Sequence, residues 1–414
     1  MKIVSKVVLF WILGVLPVFA ADEASLGANL AGLLEYARSH NAEVAATRFE
    51  AEAALQRVEP AAALPDPVLR TELMDVSRGV LPSQVGSTRY TLMQSVPWFG
   101  KRNLLREAAE AQSVEANGQV SLTLAELSAK IKGAYAMYYY LSGSMRLTGQ
   151  TAQLLSDLEQ AALARYANGV GAQQDVLRAQ VEKSVLSGEL LSLQAEQHHV
   201  HGRLNALLAR PATAALAEPV ELRRIPTPEQ LNYPILEAKL LAGNPQLVTA
   251  EARHNGALKN RELVYLNRYP AFTLGIAPNQ VGNTLKSWDL MAEVNIPLQL
   301  ESRRSREREA EAGVSAAVAR KQSLQDQLLG DLSESHSALE TAQQLDALTE
   351  TRLIPQAELN YRAALAAYEN GKADFAVLLE AQRQILKARQ QRLKAQYDIQ
   401  VRLAEIERLL GVEL

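Results

Sequence analysis

No cysteine occurs among the 414 residues. Disulfide scaffolds, thiol nucleophiles and Cys-based metal or redox centres are thereby excluded. Aromatic residues are scarce, at 5%, and no segment after the N-terminus approaches 18 uninterrupted apolar residues, so insertion into lipid would have to come from strands rather than helices. An excess of positive charge is missing too. With a formal charge of −3 and a pI near 6.2, the chain lacks the basic surface that a nucleic-acid binder needs to neutralise phosphates. Proline is absent from 98–210, and only Pro355 falls in 298–414. Because proline costs about 3 kcal/mol inside a helix, those blocks can hold very long helices, whereas the clusters at 60–97 and 211–297 cannot.

What is abundant points the same way. Alanine (64 residues) and leucine (65 residues) dominate, the profile of long, closely packed helices. At the N-terminus, Lys2 and Lys6 precede an apolar stretch from Val7 to Phe19, and Val18-Phe19-Ala20 predicts a cleaved secretory signal over 1–20. A spanning anchor would need about 20 apolar residues. Removal of both lysines takes the formal charge to −5. A bacterial lipid anchor would require a cysteine just after the cleavage site.

The remainder reads as two copies of one plan. Asn41-Ala42-Glu43-Val44 matches Asn244-Pro245-Gln246-Leu247, and Val96-Pro97 matches Ile296-Pro297. Tyr166-Ala167-Asn168-Gly169 matches Tyr368-Glu369-Asn370-Gly371, and Leu207-Leu208 matches Leu409-Leu410. Four matches in one order at an offset near 200 indicate a tandem duplication. The expected organisation is a first repeat over 21–210, a linker over 211–234 and a second repeat over 235–414. Each repeat holds a helix, two strands and a long helical hairpin. The strands are expected at about 67–76, 87–97, 270–278 and 287–297, and the hairpins at about 98–209 and 298–410.

The helices carry coiled-coil spacing. Val120, Leu124, Leu127, Ile131, Ala134, Tyr138, Leu141 and Met145 alternate steps of four and three. Leu378, Ile385, Ile399 and Ile406 share a seven-residue grid with Arg392 in the vacant slot, and Leu379, Leu386 and Leu393 form a neighbouring row, which suggests partners on both sides. The stretch from Ser302 to Tyr368 would make a rod about 100 Å long, interrupted and bent at Pro355. In the strands, Trp288, Leu290, Ala292, Val294 and Ile296 point opposite to Asp289, Met291, Glu293 and Asn295. Phe272, Leu274 and Ile276 alternate similarly, as do Tyr90, Leu92 and Val96 with Gln94 as the exception. Leu69, Thr71 and Leu73 oppose Arg70, Glu72 and Met74. Such alternation suits a strand between lipid and an aqueous lumen, though a single hairpin of this kind is ordinary in soluble proteins. Tyr269, Trp98 and Phe99 fall where an aromatic girdle would sit.

Taken together, these residues resemble the TolC-type outer-membrane efflux factor family over essentially the whole mature chain. The duplicated Asn-x-x-Val/Leu starts, the junctions at Pro97 and Pro297, and the paired turns Asn168-Gly169-Val170-Gly171 and Asn370-Gly371-Lys372-Ala373 carry the resemblance. Ala63-Leu64-Pro65-Asp66-Pro67 and Pro97-Trp98-Phe99-Gly100-Lys101-Arg102 are similar to the heavy-metal branch. Many members are lipidated through an N-terminal cysteine, which this chain lacks. The resemblance implies a mainly α fold with a small β part: a homotrimer in which four strands per chain build one twelve-stranded outer-membrane β-barrel, continued by a periplasmic α-helical barrel. With no catalytic constellation in the sequence, it further implies a passive channel rather than an enzyme, with no cofactor, partnered by a periplasmic adaptor protein, an inner-membrane resistance-nodulation-division pump and outer-membrane lipid.

Residue roles follow from the same resemblance. Asn168, Gly169, Val170 and Gly171, with Asn370, Gly371 and Lys372, would be the hairpin tips that meet the adaptor, and Gly169, Gly171 and Gly371 would supply left-handed turns. Glu380, Asp175 and Asp374 are candidates for an acidic periplasmic gate, although Val377 and Arg178 occupy slots where acids also occur. Asp175 and Asp374 are equally expected as first-turn or cap residues. Tyr90, Leu92, Phe272, Leu274, Ile276, Trp288, Leu290 and Val294 would face lipid. His198, His199 and His201 invite a metal reading, but a solvated helix face is the better expectation. Met74 and Met291 are expected to line or pack the lumen, and Tyr138-Tyr139-Tyr140 to pack a helix. A channel for organic toxins or secreted polypeptides is the alternative within this fold, and a soluble periplasmic coiled-coil scaffold is the alternative outside it.

Overall fold

The computed structural model describes residues 26–76 and 85–414; the expected signal segment 1–20 lies outside them. In chain order the elements are α1 (Leu30–His40), α2 (Ala42–Gln56), α3 (Val58–Ala61), β1 (Val68–Val76), β2 (Val85–Val96), α4 (Lys101–Ala167), α5 (Gln173–Leu207), α6 (Tyr233–Gly243), α7 (Pro245–Leu266), β3 (Ala271–Val281), β4 (Thr284–Asn295), α8 (Leu300–Leu348), a π turn (Thr349–Leu353), α9 (Ile354–Glu369) and α10 (Phe375–Leu410).

The paired Asn-x-x-Val/Leu sites are helix caps. The Asn41 side chain accepts from the backbone N–H groups of Glu43 and Val44, and that of Asn244 accepts from Leu247 at 2.9 Å, satisfying donors that the helix itself leaves free. Asn244 is buried, and its amide also donates to the Leu409 carbonyl at 2.6 Å. Each cap follows a short helix, α1 or α6, in place of the single helix expected per repeat.

The four strands form one antiparallel sheet in the order β1-β2-β3-β4. β3 continues past Pro278, where the sequence suggested an end. Proline lacks a backbone N–H; the ladder between β2 and β3 skips Ala277 and Pro278, while pairing to β4 continues through Pro278↔Trp288. Gly282, at φ +60°, is the first of two turn residues joining β3 to β4, the position where a two-residue hairpin loop favours glycine. Gln94, out of place among apolar neighbours, donates its amide to the Pro65 carbonyl at 2.7 Å.

Pro355 is accommodated without ending the helix. The Ile354 N–H bonds to the Thr349 carbonyl, five residues back, so α8 passes through one π turn and resumes as α9 with proline in its first turn, where the missing N–H costs nothing. Arg392, the vacant slot of the apolar grid on α10, reaches this region: it bonds to Glu350 in the π turn and lies 3.4 Å from Asp346 on α8.

Two compact units are present, and both draw on both halves of the chain. Of the described residues, the first comprises 26–40, Lys130–Ile225 and Leu339–Val401; the second comprises 41–76, 85–129, Pro226–Ala338 and Arg402–Leu414. In the first, Leu155 and Leu158 of α4, Leu186 of α5, Tyr368 of α9 and Phe375 and Leu378 of α10 share one core. Leu127, Ile131, Ala134, Tyr138 and Leu141 of the α4 stripe are buried, as are both apolar rows of α10 at Leu378, Leu379, Ile385 and Leu386. The second unit contains the whole sheet. No helix among the described residues is long and apolar enough to cross a membrane.

Candidate functional site

The two hairpin turns have the same hydrogen bonds at an offset of 202. The N–H of Gly169 bonds to the Tyr166 carbonyl and that of Val170 to Arg165, both at 3.0 Å; that of Gly371 bonds to Tyr368 at 3.0 Å and that of Lys372 to Ala367 at 2.8 Å. The Asn168 and Asn370 side-chain amides donate to the carbonyls of Ala164 and Ala366. This is the Schellman closure, and it requires the left-handed conformation that Gly169 (φ +70°) and Gly371 (φ +67°) adopt. Gly171 serves a different purpose from the left-handed turn expected of it. Its φ is not positive, and a β-carbon there would come within 2.9 Å of Arg165 Cβ, so glycine permits close approach of the chain. Lys372 occupies the equivalent of Val170.

The three acids lie just after the turns, at or near the starts of α5 and α10. Asp175 sits in the first turn of α5, where the macrodipole favours it, but the N-cap of α5 is Ala172, with no side-chain cap bond. Asp374 immediately precedes α10, and its carbonyl accepts from Val377 at 3.0 Å. Asp175 lies close enough to Tyr368 to act on it: burial first, then the Asp175 carboxylate, push the Tyr368 hydroxyl above its ordinary value, opposed by Arg165, whose guanidinium lies 5.0 Å over the ring. Glu380 is exposed, 3.8 Å from Arg383. That arginine also grips Glu182, a carboxylate only 7% exposed, with two hydrogen bonds, one of 2.8 Å from Nε. Seven residues along each helix, Gln390 donates to Glu189 at 2.7 Å and to Thr148 at 3.4 Å. This heptad-spaced polar ladder between α5 and α10 was missed in the sequence, although Glu182, Glu189, Arg383 and Gln390 recur at a constant offset of 201.

The sheet separates its side chains into two faces. Opposed residues share a face, and the register joins Leu69, Leu92, Ile276 and Leu290 in one row and Phe272 and Val294 in another. Tyr90, Leu274 and Trp288 share that face by alternation. These eight residues therefore share one face of the sheet; Trp288 is 63% and Leu290 85% exposed. The other face carries Arg70, Glu72, Arg89, Thr91, Asn279, Asp289 and Glu293. Met93, overlooked in the sequence, joins Met74 and Met291 there, and Met291 covers Gly275 so closely that a β-carbon would meet its Cε at 3.1 Å. At the strand ends Trp98 stacks on Tyr269, centroids 4.8 Å apart, and on Phe272. Phe99 is 82% exposed.

His201 packs edge-on against Tyr138 at 4.6 Å; burial, followed by His198, holds its pKa below the ordinary histidine value. Among the described residues no group of three or more His, Asp or Glu side chains is placed to hold a metal ion.

Comparison with known proteins agrees with this arrangement. Residues 236–412 match the model of the family described as outer membrane efflux protein. The chain is 24% identical over 408 residues to the cobalt-zinc-cadmium resistance protein CzcC of Cupriavidus metallidurans, covering 95% of this chain and 92% of that protein. Among solved structures, the outer-membrane channel OprN superposes with a TM-score of 0.79 at 21% identity, covering 94% of this chain and 95% of its own. CusC, whose structures concern folding and transmembrane channel formation, gives 0.81 at 16% identity, covering 92% of each. Likeness to these structures is one of fold. The match to the outer membrane efflux protein family covers the second half of the chain, and the similarity to CzcC extends over nearly all of it.

Proposed function

We propose that this outer-membrane efflux channel is the exit duct of a three-part export machine, and that its cargo is heavy-metal cations. The observation that carries the duct reading is the four-stranded sheet with one apolar, exposed face and one polar face, held at 9–12 residues per strand, the length that crosses an outer membrane. β1 and β4 are the sheet edges. Unpaired edges in lipid are prohibitively costly, so further copies must close the barrel, and a homotrimer with twelve strands is the arrangement proposed. Leu177, Val181, Val185 and Leu191 leave exposed apolar side chains along α5, which suits packing of helices between copies.

In this reading the turns at Asn168–Gly171 and Asn370–Lys372 meet a periplasmic adaptor, and an inner-membrane pump of the resistance-nodulation-division type supplies the energy. Asp175, Asp374 and Glu380 follow the turns and would border the periplasmic mouth. The eight residues from Tyr90 to Val294 on the apolar face would meet lipid. The cargo rests on CzcC, a cobalt-zinc-cadmium resistance protein. Deleting the gene and comparing tolerance to cobalt, zinc, cadmium and copper with tolerance to organic toxins tests it: selective loss of metal tolerance is expected, and unchanged metal tolerance with new toxin sensitivity would reassign the cargo.

A further inference from the structure

The polar face of the sheet carries two arginines and three carboxylates, and four of these five charges are engaged with one another. Arg89 on β2 lies 3.8 Å from Glu72 on β1 and 3.3 Å from Asp289 on β4. Its Nε donates to the Asn279 side-chain oxygen on β3 at 2.8 Å, and the Asn279 amide donates to Asp289 at 2.8 Å. Arg70 lies 3.8 Å from Glu72. The result is a belt across all four strands in which two positive charges balance two negative ones.

Glu293 stands outside this belt. It lies on β4 opposite Thr273 of β3, which is itself opposite Ser95 of β2, so its row is otherwise neutral and hydroxyl-bearing. It is exposed and has no ion pair among the described residues. Asn295 ends β4 two residues later, so within the strands Glu293 is the charged residue nearest the ends that lead towards Trp98 and Pro297. The position 200 residues earlier is Met93, so the acid is not repeated at that offset.

We infer that Glu293 sets the cation preference of the strand-lined part of the channel. The inference rests on the duct reading, in which the polar face lines the lumen. A balanced belt presents short-range dipoles whose field screening quickly removes, whereas an uncompensated carboxylate on a wall of low dielectric raises the local concentration of cations and lowers that of anions. With several copies around one lumen, the same level carries one such carboxylate from each chain.

The test is the reversal potential of the purified full-length protein in planar bilayers under asymmetric KCl. Glu293→Gln keeps the side-chain shape and is expected to lower the ratio of cation to anion permeability by about two-fold or more. Since the chain has no other cysteine, Glu293→Cys offers an independent measurement. A negatively charged methanethiosulfonate should restore the wild-type reversal potential, and a positively charged one should shift it towards the anion side. Currents that persist with one reversal potential for wild type, Glu293→Gln and both modified forms of Glu293→Cys would overturn the inference while leaving the channel standing. No current from the wild type would overturn the duct reading, and the inference with it.

Discussion

Tyr135 shows how a single buried group ties the chain together in the first unit. Its side chain is 2% exposed, and its hydroxyl lies within hydrogen-bond distance of two carbonyls, Ala28 at 3.0 Å and Glu221 at 2.9 Å. Those carbonyls belong to the segment before α1 and to the linker after α5, which also pair through Ala217 N–H to Leu26 and Val220 N–H to Ala28. Burial, with the nearby Glu221 carboxylate, pushes the Tyr135 hydroxyl from 10.0 to about 12. Because the folded state holds this proton more tightly than the unfolded chain, the stabilisation is complete below pH 10 and is lost as pH rises through 12. Two pKa units correspond to about 3 kcal/mol. Melting temperatures followed from neutral to alkaline pH should therefore fall less steeply in Tyr135→Phe than in wild type. Tyr138, Tyr361 and Tyr368 are raised in the same direction by burial, so the variant keeps a smaller slope; identical slopes would contradict the assignment.

At the scale of elements, the contact between α5 and α10 is polar where an apolar seam would have served. Arg383 and Glu182 make the strongest rung. Removing the arginine alone in Arg383→Ala leaves a nearly dehydrated carboxylate, which should cost about 2–4 kcal/mol, towards the lower end because Arg383 is itself half exposed. Replacing both in Glu182→Leu with Arg383→Met should recover most of that loss. Chemical denaturation of wild type, Glu182→Leu, Arg383→Met and the double variant checks the coupling, and additive losses would show that the rung contributes nothing as a pair. This ladder also marks the limit of what the sequence displays. Glu182 and Glu189 on one helix, and Arg383 and Gln390 on the other, look like solvated faces until the two helices are brought together. Alternation in β2 to β4 was readable because period two assigns faces without knowledge of neighbours, and proline clusters located the strands for a similarly local reason. β3 was cut short at Pro278 because the cost of a missing N–H depends on whether a partner carbonyl is opposite, and here the ladder to β2 has a gap. Pro355 was readable as an interruption, but its resolution as a π turn held by Arg392 depends on Asp346 and Glu350. The Asn-Gly pairs announced the turns, and the close approach behind Gly171 was visible only in three dimensions.

At the scale of the whole molecule, positions separated by the constant offset take complementary roles. Arg89 and Asp289 stand 200 residues apart and carry opposite charges that meet across the sheet at 3.3 Å. In the proposed reading, lipid covers the apolar surface on one side of the four-stranded sheet, and further copies of the chain pair with its edge strands β1 and β4. A soluble scaffold would have to expose Leu290, Trp288 and Leu274 to water. The central claim is thus that the protein is a channel which assembles from several copies in the outer membrane. Reconstitution of the purified protein into planar lipid bilayers tests this most directly. A detergent-requiring oligomer that produces discrete, stable conductance steps is expected. A monomer that stays in solution without detergent and yields no current would contradict it.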